Sequence, residues 1–427
     1  MFSFLRSWVA GLFSFLLLIT NSSAQERLSL HQAIDLALRQ NPQLVLAQQE
    51  IAATQGRNIL AAALPPAEFF SRFNEISFDF TAVNEIEIGL SQDLEFPGKR
   101  SSRQAVANAS RQIAELQLAR WRVLLTAEVT KSYYENLLAN ENFSSQQFTV
   151  QLLHDLQRLL AERYQSSTAS YIDVVRSRIE LGRGRSELAA VQQEQNAALS
   201  KLNLLLGRNS AQRLQLNDSL VFAPFTLPRD SVFALQQSNL RQIFVALVER
   251  QRRALRLAQL VGRPDFSLGV SFQRAAENPP FTTALPQGET VNAFGLEASL
   301  SLPLFNRATP KGEMQIAQAE LASAETRLAY FEQQLRHNFE VAFAAVVSTE
   351  KQVSEFRNVV LPESQNAVSA AVAAYQSGQL ALTDLLDVYR TARQVRLEKS
   401  RLIFNYLSTR ADLEAIGEKL ELNSMQE

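Results

Sequence analysis

Asp384 and Asp387 stand three residues apart, just past a Tyr375-Gln376-Ser377 segment. That spacing puts both carboxylates on one face of a helix. Acids so placed either draw cations to that end of the helix or simply stabilise the positive end of its dipole, and the spacing alone leaves both open. A second acidic set is Glu85, Glu87, Asp93 and Glu95, all odd-numbered, against Ile86, Ile88, Leu90 and Leu94. In a strand, that alternation sends the acids to one face and the apolar residues to the other. If the acidic face lines a pore it favours cations; if it faces bulk water it serves solubility. Catalytic chemistry finds no support. His31, His154 and His337 are far apart in the chain, and there is no H-E-x-x-H, phosphate loop or nucleophile elbow. With no cysteine there is no thiolate metal site, no disulfide and no cysteine to carry a lipid anchor. The expectation is therefore no enzyme, no catalytic residues, no protein-held metal and no cofactor.

The elements that carry these acids occur twice. Tyr164-Gln165-Ser166 runs on to Asp173-Val174-Val175, as Tyr375-Gln376-Ser377 runs on to Asp384-Leu385-Leu386. Asp173 is thus the counterpart of Asp384. Each copy has a long helical segment before the Tyr-Gln-Ser and another after it, ending at Gly207 or Gly417. Between Pro97 and Pro224 there is no proline, and glycine is restricted to Gly98, Gly182, Gly184 and Gly207, a composition that suits very long helices. The stretch from Lys99 to about Gln165 would reach about 100 Å as a helix and needs a partner along its length. In the second copy Met314, Leu321, Leu328, Leu335 and Ala342 recur every seven residues, with Ala317, Ala324 and Phe331 between them, as in a coiled-coil seam. Pro362 should kink or break that helix.

Before each long helix the period changes to two. Phe266, Leu268, Val270 and Phe272 alternate with small or polar residues, and so do Phe294, Leu296, Ala298, Leu300 and Leu302. The first copy repeats this at Ile86, Ile88 and Leu90, after a less regular strand around 68–78. Each copy therefore supplies one β-hairpin of a length that suits an outer membrane. Four strands cannot close alone, because unpaired edges are not tolerated in lipid, so several chains must share one barrel. No apolar run of 18 residues follows the first 24 residues, which themselves read as a secretory signal peptide: Arg6, the apolar stretch Val9 to Ile19, and cleavage after Ala24. The net charge of −1 implies no general attraction to nucleic acid, and the one basic run, Arg250 to Arg256, reads as a solvated helix face. The organisation is a signal peptide at 1–24, a first repeat at 25–220 with strands at about 66–96 and helices at about 99–207, and a second at 221–427 with strands at about 264–305 and helices at about 311–417. The fold class is mainly α with β.

In this order the residues resemble the TolC-type outer-membrane efflux proteins. The resemblance is carried by Leu28-Ser29-Leu30-His31-Gln32-Ala33 running through Ala37 to Asn41-Pro42, by Pro66 and Pro264 before the strands, by Leu302-Pro303-Leu304-Phe305 after the last one, and by the paired Tyr-Gln-Ser to Asp turns. It implies a homotrimer whose chains close a twelve-stranded outer-membrane barrel, continued in the periplasm by an α-helical barrel. It also implies a periplasmic adaptor and an inner-membrane transporter as partners, in a Gram-negative bacterium. Leu94-Glu95-Phe96-Pro97-Gly98-Lys99-Arg100 is similar to the Leu-Glu-x-Gly-Gly-Lys-Arg segment of the branch that exports cobalt, zinc and cadmium ions, with Pro97 in place of a glycine; alternatively Gly98-Lys99-Arg100 only joins strand to helix, its basic pair facing solvent or an interface. Asp384 and Asp387 match the Asp-x-Leu-Asp motif of the family's periplasmic mouth, so that three chains would set six carboxylates around a narrow gate. Relatives that lock the mouth with an arginine four residues before the first aspartate find Leu380 here. The function so implied is a passive, gated exit duct for small solutes, with divalent metal cations the preferred cargo and drugs or other solutes open. A periplasmic coiled-coil adaptor or structural protein is the alternative, and would normally show a single helical hairpin between compact β-domains.

Overall fold

The computed structural model describes residues 27–76, 83–167, 170–224, 238–275, 291–302, 305 and 307–417; the expected signal peptide and the Pro303-Leu304 pair lie outside them. In chain order the elements are β1 (Arg27–Leu28), α1 (Leu30–Gln40), α2 (Pro42–Ala62), β2 (Glu68–Ile76), β3 (Val83–Leu94), α3 (Lys99–Gln165), α4 (Tyr171–Leu205), β4 (Gln215–Leu216), α5 (Asn239–Ala258), β5 (Asp265–Ala275), β6 (Val291–Ser301), α6 (Ala308–Glu355), a π-helical turn at Phe356–Val360, α7 (Leu361–Gln376) and α8 (Leu382–Gly417). The duplication is visible in that order: α2-β2-β3-α3-α4 recurs as α5-β5-β6-α6-α7-α8. The long helices begin and end close to where proline and glycine punctuate the sequence.

The chain packs as two units that do not coincide with the two sequence repeats, since each unit takes segments of both. The first holds the described residues of 1–45, 121–235 and 336–427. Tyr133, Val129, Leu202, Leu206, Val346, Tyr406 and Leu413 form its most deeply buried positions. Truncating one such leucine to alanine costs about 2–5 kcal/mol. The Asn41-Pro42 pair has a mechanical role here. Asn41 is buried; its side chain accepts from the Gln43 amide (2.8 Å), opening α2, and donates to the Leu205 carbonyl at the end of α4 (2.8 Å). Pro42 occupies a first-turn position where no amide hydrogen is needed. Ahead of it, α1 starts with a reciprocal cap: Ser29 Oγ accepts from the Gln32 amide and Gln32 Oε1 from the Ser29 amide.

The Pro362 expectation resolves into a π-helical turn rather than a break. Pro362 has no amide hydrogen, and in an α-helix its ring would press on the carbonyl of Asn358. Instead the chain widens over Phe356–Val360, and the Leu361 amide donates to the Phe356 carbonyl, five residues back. The helix continues as α7 with Pro362 in its first turn.

The second unit holds the described residues of 46–120 and 236–335. Its sheet is antiparallel, in the order β2-β3-β5-β6. The ladder carries Phe69, Leu90, Val270 and Leu296 across one row, and Ser71, Ile88, Phe272 and Phe294 across the next. That apolar face is uncovered, with Phe294 and Leu296 each 89% exposed. Below the sheet Ile113 of α3 packs on Ile243 and Ala246 of α5, and Phe244 stacks on Phe331 of α6 at 4.3 Å. Along the expected seam of α6, Ala317 and Leu335 are buried. The basic run of α5 makes internal ion pairs, Arg252 with Glu325 (3.2 Å) and Arg253 with Glu249 (3.0 Å). Among the described residues no helix is long and apolar enough to cross a membrane.

Candidate pore lining and gate residues

Both Tyr-Gln-Ser segments end a helix, and the acids follow at the start of the next. Asp173 lies in the first turn of α4, whose amide at Ile172 is capped by Ser170 Oγ (3.2 Å). Asp384 lies in the first turn of α8 and is exposed, with the Thr383 hydroxyl 3.3 Å from its Oδ1. Asp387, one turn on, is also exposed but is engaged: Arg390 donates to it at 2.7 Å and, with its other terminal nitrogen, reaches Glu180 of α4 at 2.7 Å. The Glu180 carboxylate, followed by that of Asp387, holds the guanidinium above its already high ordinary value. A turn further along α8, Arg393 pairs with Glu187 of α4 (3.2 Å). Gln146 of α3 donates to that same carboxylate and to the Gly184 carbonyl (2.8 Å). An arginine does therefore hold this end of α8, from the carboxyl side of the acidic pair rather than from position 380. Sequence reading missed Arg390 and Glu180 because they come from different repeats, and nothing in either segment announces the other.

In the sheet, Glu85 and Glu87 share a face with Arg72 and Gln273, as the ladder pairs Arg72 with Glu87 and Glu87 with Gln273. Glu87 receives Arg72 at 3.2 Å, and Glu85 accepts from the Gln273 amide. Asp93 is on the same face and exposed. Glu95 has left the strand; it is bound by both terminal nitrogens of Arg103 of α3, one of them at 2.9 Å. Three of the four acids are thus engaged by side chains that the alternation of β3 alone does not reveal. Arg72 was legible in principle from the parity of β2, where Phe69 and Phe73 mark the apolar face.

Of the basic pair expected to face solvent or an interface, Lys99 is turned away from solvent. Its side chain is only 13% exposed, and the ammonium binds Asp265 (2.8 Å) and the Arg263 carbonyl (2.9 Å). It therefore ties the start of α3 to the start of β5, while Arg100 is exposed. Among the described residues no three His, Asp or Glu side chains converge as a metal site.

Residues 74–208, which include β3, α3 and α4, match the family model for the outer membrane efflux protein. A curated relative, the cobalt-zinc-cadmium resistance protein CzcC of Cupriavidus metallidurans, is 24% identical over 377 residues, covering 87% of this chain and 85% of its own. Over these residues the chain is similar to the outer membrane efflux proteins. Outer membrane efflux proteins are channels and not enzymes. Solved structures of like fold include the CmeC outer membrane channel of Campylobacter jejuni, with a TM-score of 0.77 at 15% identity over 92% of this chain and 86% of that one. The MtrE outer membrane channel of Neisseria gonorrhoeae gives 0.73 at 19% identity, over 91% and 88%.

Proposed function

We propose that three copies of this chain form the exit duct of a tripartite efflux pump, closing a twelve-stranded barrel in the outer membrane and continuing it as an α-helical barrel in the periplasm. The observation that carries the assembly is the sheet. It has 9 to 12 residues per strand, one uncovered apolar face, and a neighbour on only one side of β2 and of β6 among the described residues. Strands of this length span a bilayer, lipid suits the apolar face, and symmetry-related copies of β6 and β2 can satisfy each other's open edges. The duct does no chemistry of its own. A periplasmic adaptor and an inner-membrane transporter supply the coupling, and without cysteine the chain is anchored by its strands rather than by a lipid.

Divalent metal cations are the cargo this reading favours. It is supported by the similarity to CzcC, by the segment Leu94 to Arg100, and by the carboxylates of the wet strand face. Asp384, Asp387 and Asp173 are assigned to the periplasmic gate, where carboxylates gathered around a narrow mouth attract cations. The test is single-channel recording of the purified protein in a planar bilayer, with and without Asp384→Ala plus Asp387→Ala. A cation-selective pore of low conductance is expected, and the double variant should conduct more or lose block by Zn²⁺. An unchanged pore would remove the gate assignment and leave the duct. Absence of any pore, from folded trimer, would overturn the duct.

A further inference from the structure

On the wet face of the sheet one group of side chains is built more closely than a solvated wall requires. Phe70 lies over Gly89, directly across the β2-β3 ladder. A Cβ on Gly89 would come within 2.9 Å of Phe70 Cε1 and 2.8 Å of the Val270 carbonyl oxygen, so only glycine leaves the ring its place. Arg72 in turn sets its guanidinium carbon 4.4 Å from the centroid of the Phe70 ring and donates to Glu87 at 3.2 Å. The Glu87 side chain is 17% exposed and that of Arg72 52%. A guanidinium held by an aromatic face and a carboxylate is fixed along the wall, where a free arginine would sweep through solvent.

We infer that Arg72, positioned by Phe70, Gly89 and Glu87, is a specificity-determining residue of the duct: it offsets the acidic lumen at this level and limits its preference for cations. The inference rests on the duct reading, which makes this face the lumen. Read from β3 alone, Glu85 and Glu87 would add six negative charges to a trimeric wall. The Arg72 rows return three positive charges beside them. The Gln273 side-chain amide that donates to Glu85 is neutral and adds no charge, so Arg72 is what offsets these acids, and Asp93 is exposed further along β3. A lining of alternating sign passes ions with weak discrimination, whereas one of a single sign concentrates its counter-ions.

Reversal potentials across a bilayer holding a KCl gradient test this directly, using full-length protein with Arg72→Gln, Glu87→Gln, the two together, and Arg72→Lys. Arg72→Gln should raise the K⁺ to Cl⁻ permeability ratio several-fold, short of the roughly tenfold or greater enrichment at an uncompensated lining of one sign. Glu87→Gln should lower the ratio, the pair should return toward the parent, and Arg72→Lys, which keeps the charge, should stay close to it. A role confined to holding β2 against β3 would reduce channel yield in these variants and leave the ratio where it was. Conducting pores whose ratio is the same in the parent, Arg72→Gln and Glu87→Gln would overturn the inference and leave the duct standing. A parent chain that forms no pore would overturn the duct reading, and this inference with it.

Discussion

Tyr133 is fully buried, yet its hydroxyl is what joins three separated pieces of chain. It lies 2.7 Å from Asp218 Oδ2, to which it donates, and 2.9 Å from the Leu28 carbonyl oxygen. Asp218 Oδ2 also accepts from the Leu30 amide at 3.0 Å, so the parallel pair β1-β4 is held at its carboxyl end. Burial, then the neighbouring Asp218 carboxylate, push the phenol well above its ordinary value of 10. The folded state therefore keeps the proton after the unfolded chain has lost it. By linkage the corresponding stability is complete below the unfolded value and is lost as pH rises beyond it. Tyr133→Phe should lower stability at pH 8 by about 1.5–3 kcal/mol, as for a hydrogen bond to a charged acceptor. It should also flatten the decline above pH about 10. Unfolding midpoints followed by circular dichroism across pH 8 to about 11 check both; a variant whose alkaline slope matches the parent would refute the linkage.

At the level of elements, the two repeats differ at one residue that matters for the turn. After Tyr-Gln-Ser the first repeat has Ser167 with φ 58° and the second has Gly378 with φ 76°. In each turn that residue's amide bonds back three positions, to Tyr164 and to Tyr375. A left-handed residue with a side chain costs roughly 1–2 kcal/mol, while glycine costs about 0.4–1 kcal/mol through the freedom of the unfolded chain. Ser167→Gly should therefore stabilise by about 0.5–1 kcal/mol, and Gly378→Ala should destabilise by a similar amount. Beyond its chain neighbours no atom lies within 4 Å of a Cβ at Gly378, so no steric clash adds to the balance of backbone strain and unfolded-chain freedom. Paired thermal melts should move in opposite directions; a shift of the same sign for both would mean the turns are not held as described. The sequence marked these turns by their repeated motif. It did not mark the strain in the first of them, since serine gives no warning of a positive φ.

For the whole molecule, the deciding feature is the uncovered face of the sheet. Leu296 and Glu297 are neighbours on β6 and point to opposite faces, Leu296 in the row of Phe69, Leu90 and Val270, Glu297 in the row of Glu68, Ser91 and Gly269. In the proposed trimer the first row meets lipid and the second meets water. Arginine on a lipid-facing barrel wall costs about 2–4 kcal/mol near the midplane, and in the trimer that cost is incurred three times. Leu296→Arg should sharply reduce outer-membrane trimer, whereas Glu297→Arg should leave assembly close to the parent. Membrane fractionation with sizing in detergent reads both. Equal assembly of the two variants would mean that this face does not meet lipid.

The periods were legible in the chain alone: seven along α6, two along the strands, and the duplication that pairs α3-α4 with α6-α7-α8. These are local regularities, written in the spacing of apolar side chains, and so were the boundaries set by proline and glycine. The sequence also placed Glu85, Glu87 and Asp93 on a shared strand face and Asp384 and Asp387 within one turn of a helix, whereas Glu95 falls past the end of β3. Which cation answers each acid follows from how distant segments pack. Arg72 reaches Glu87 through strand register, Arg103 reaches Glu95 through the packing of α3 beneath the sheet, and Arg390 reaches Glu180 because α8 lies along α4. The net charge of a wall depends on such neighbours from distant parts of the chain, and a pattern read within one segment cannot contain them.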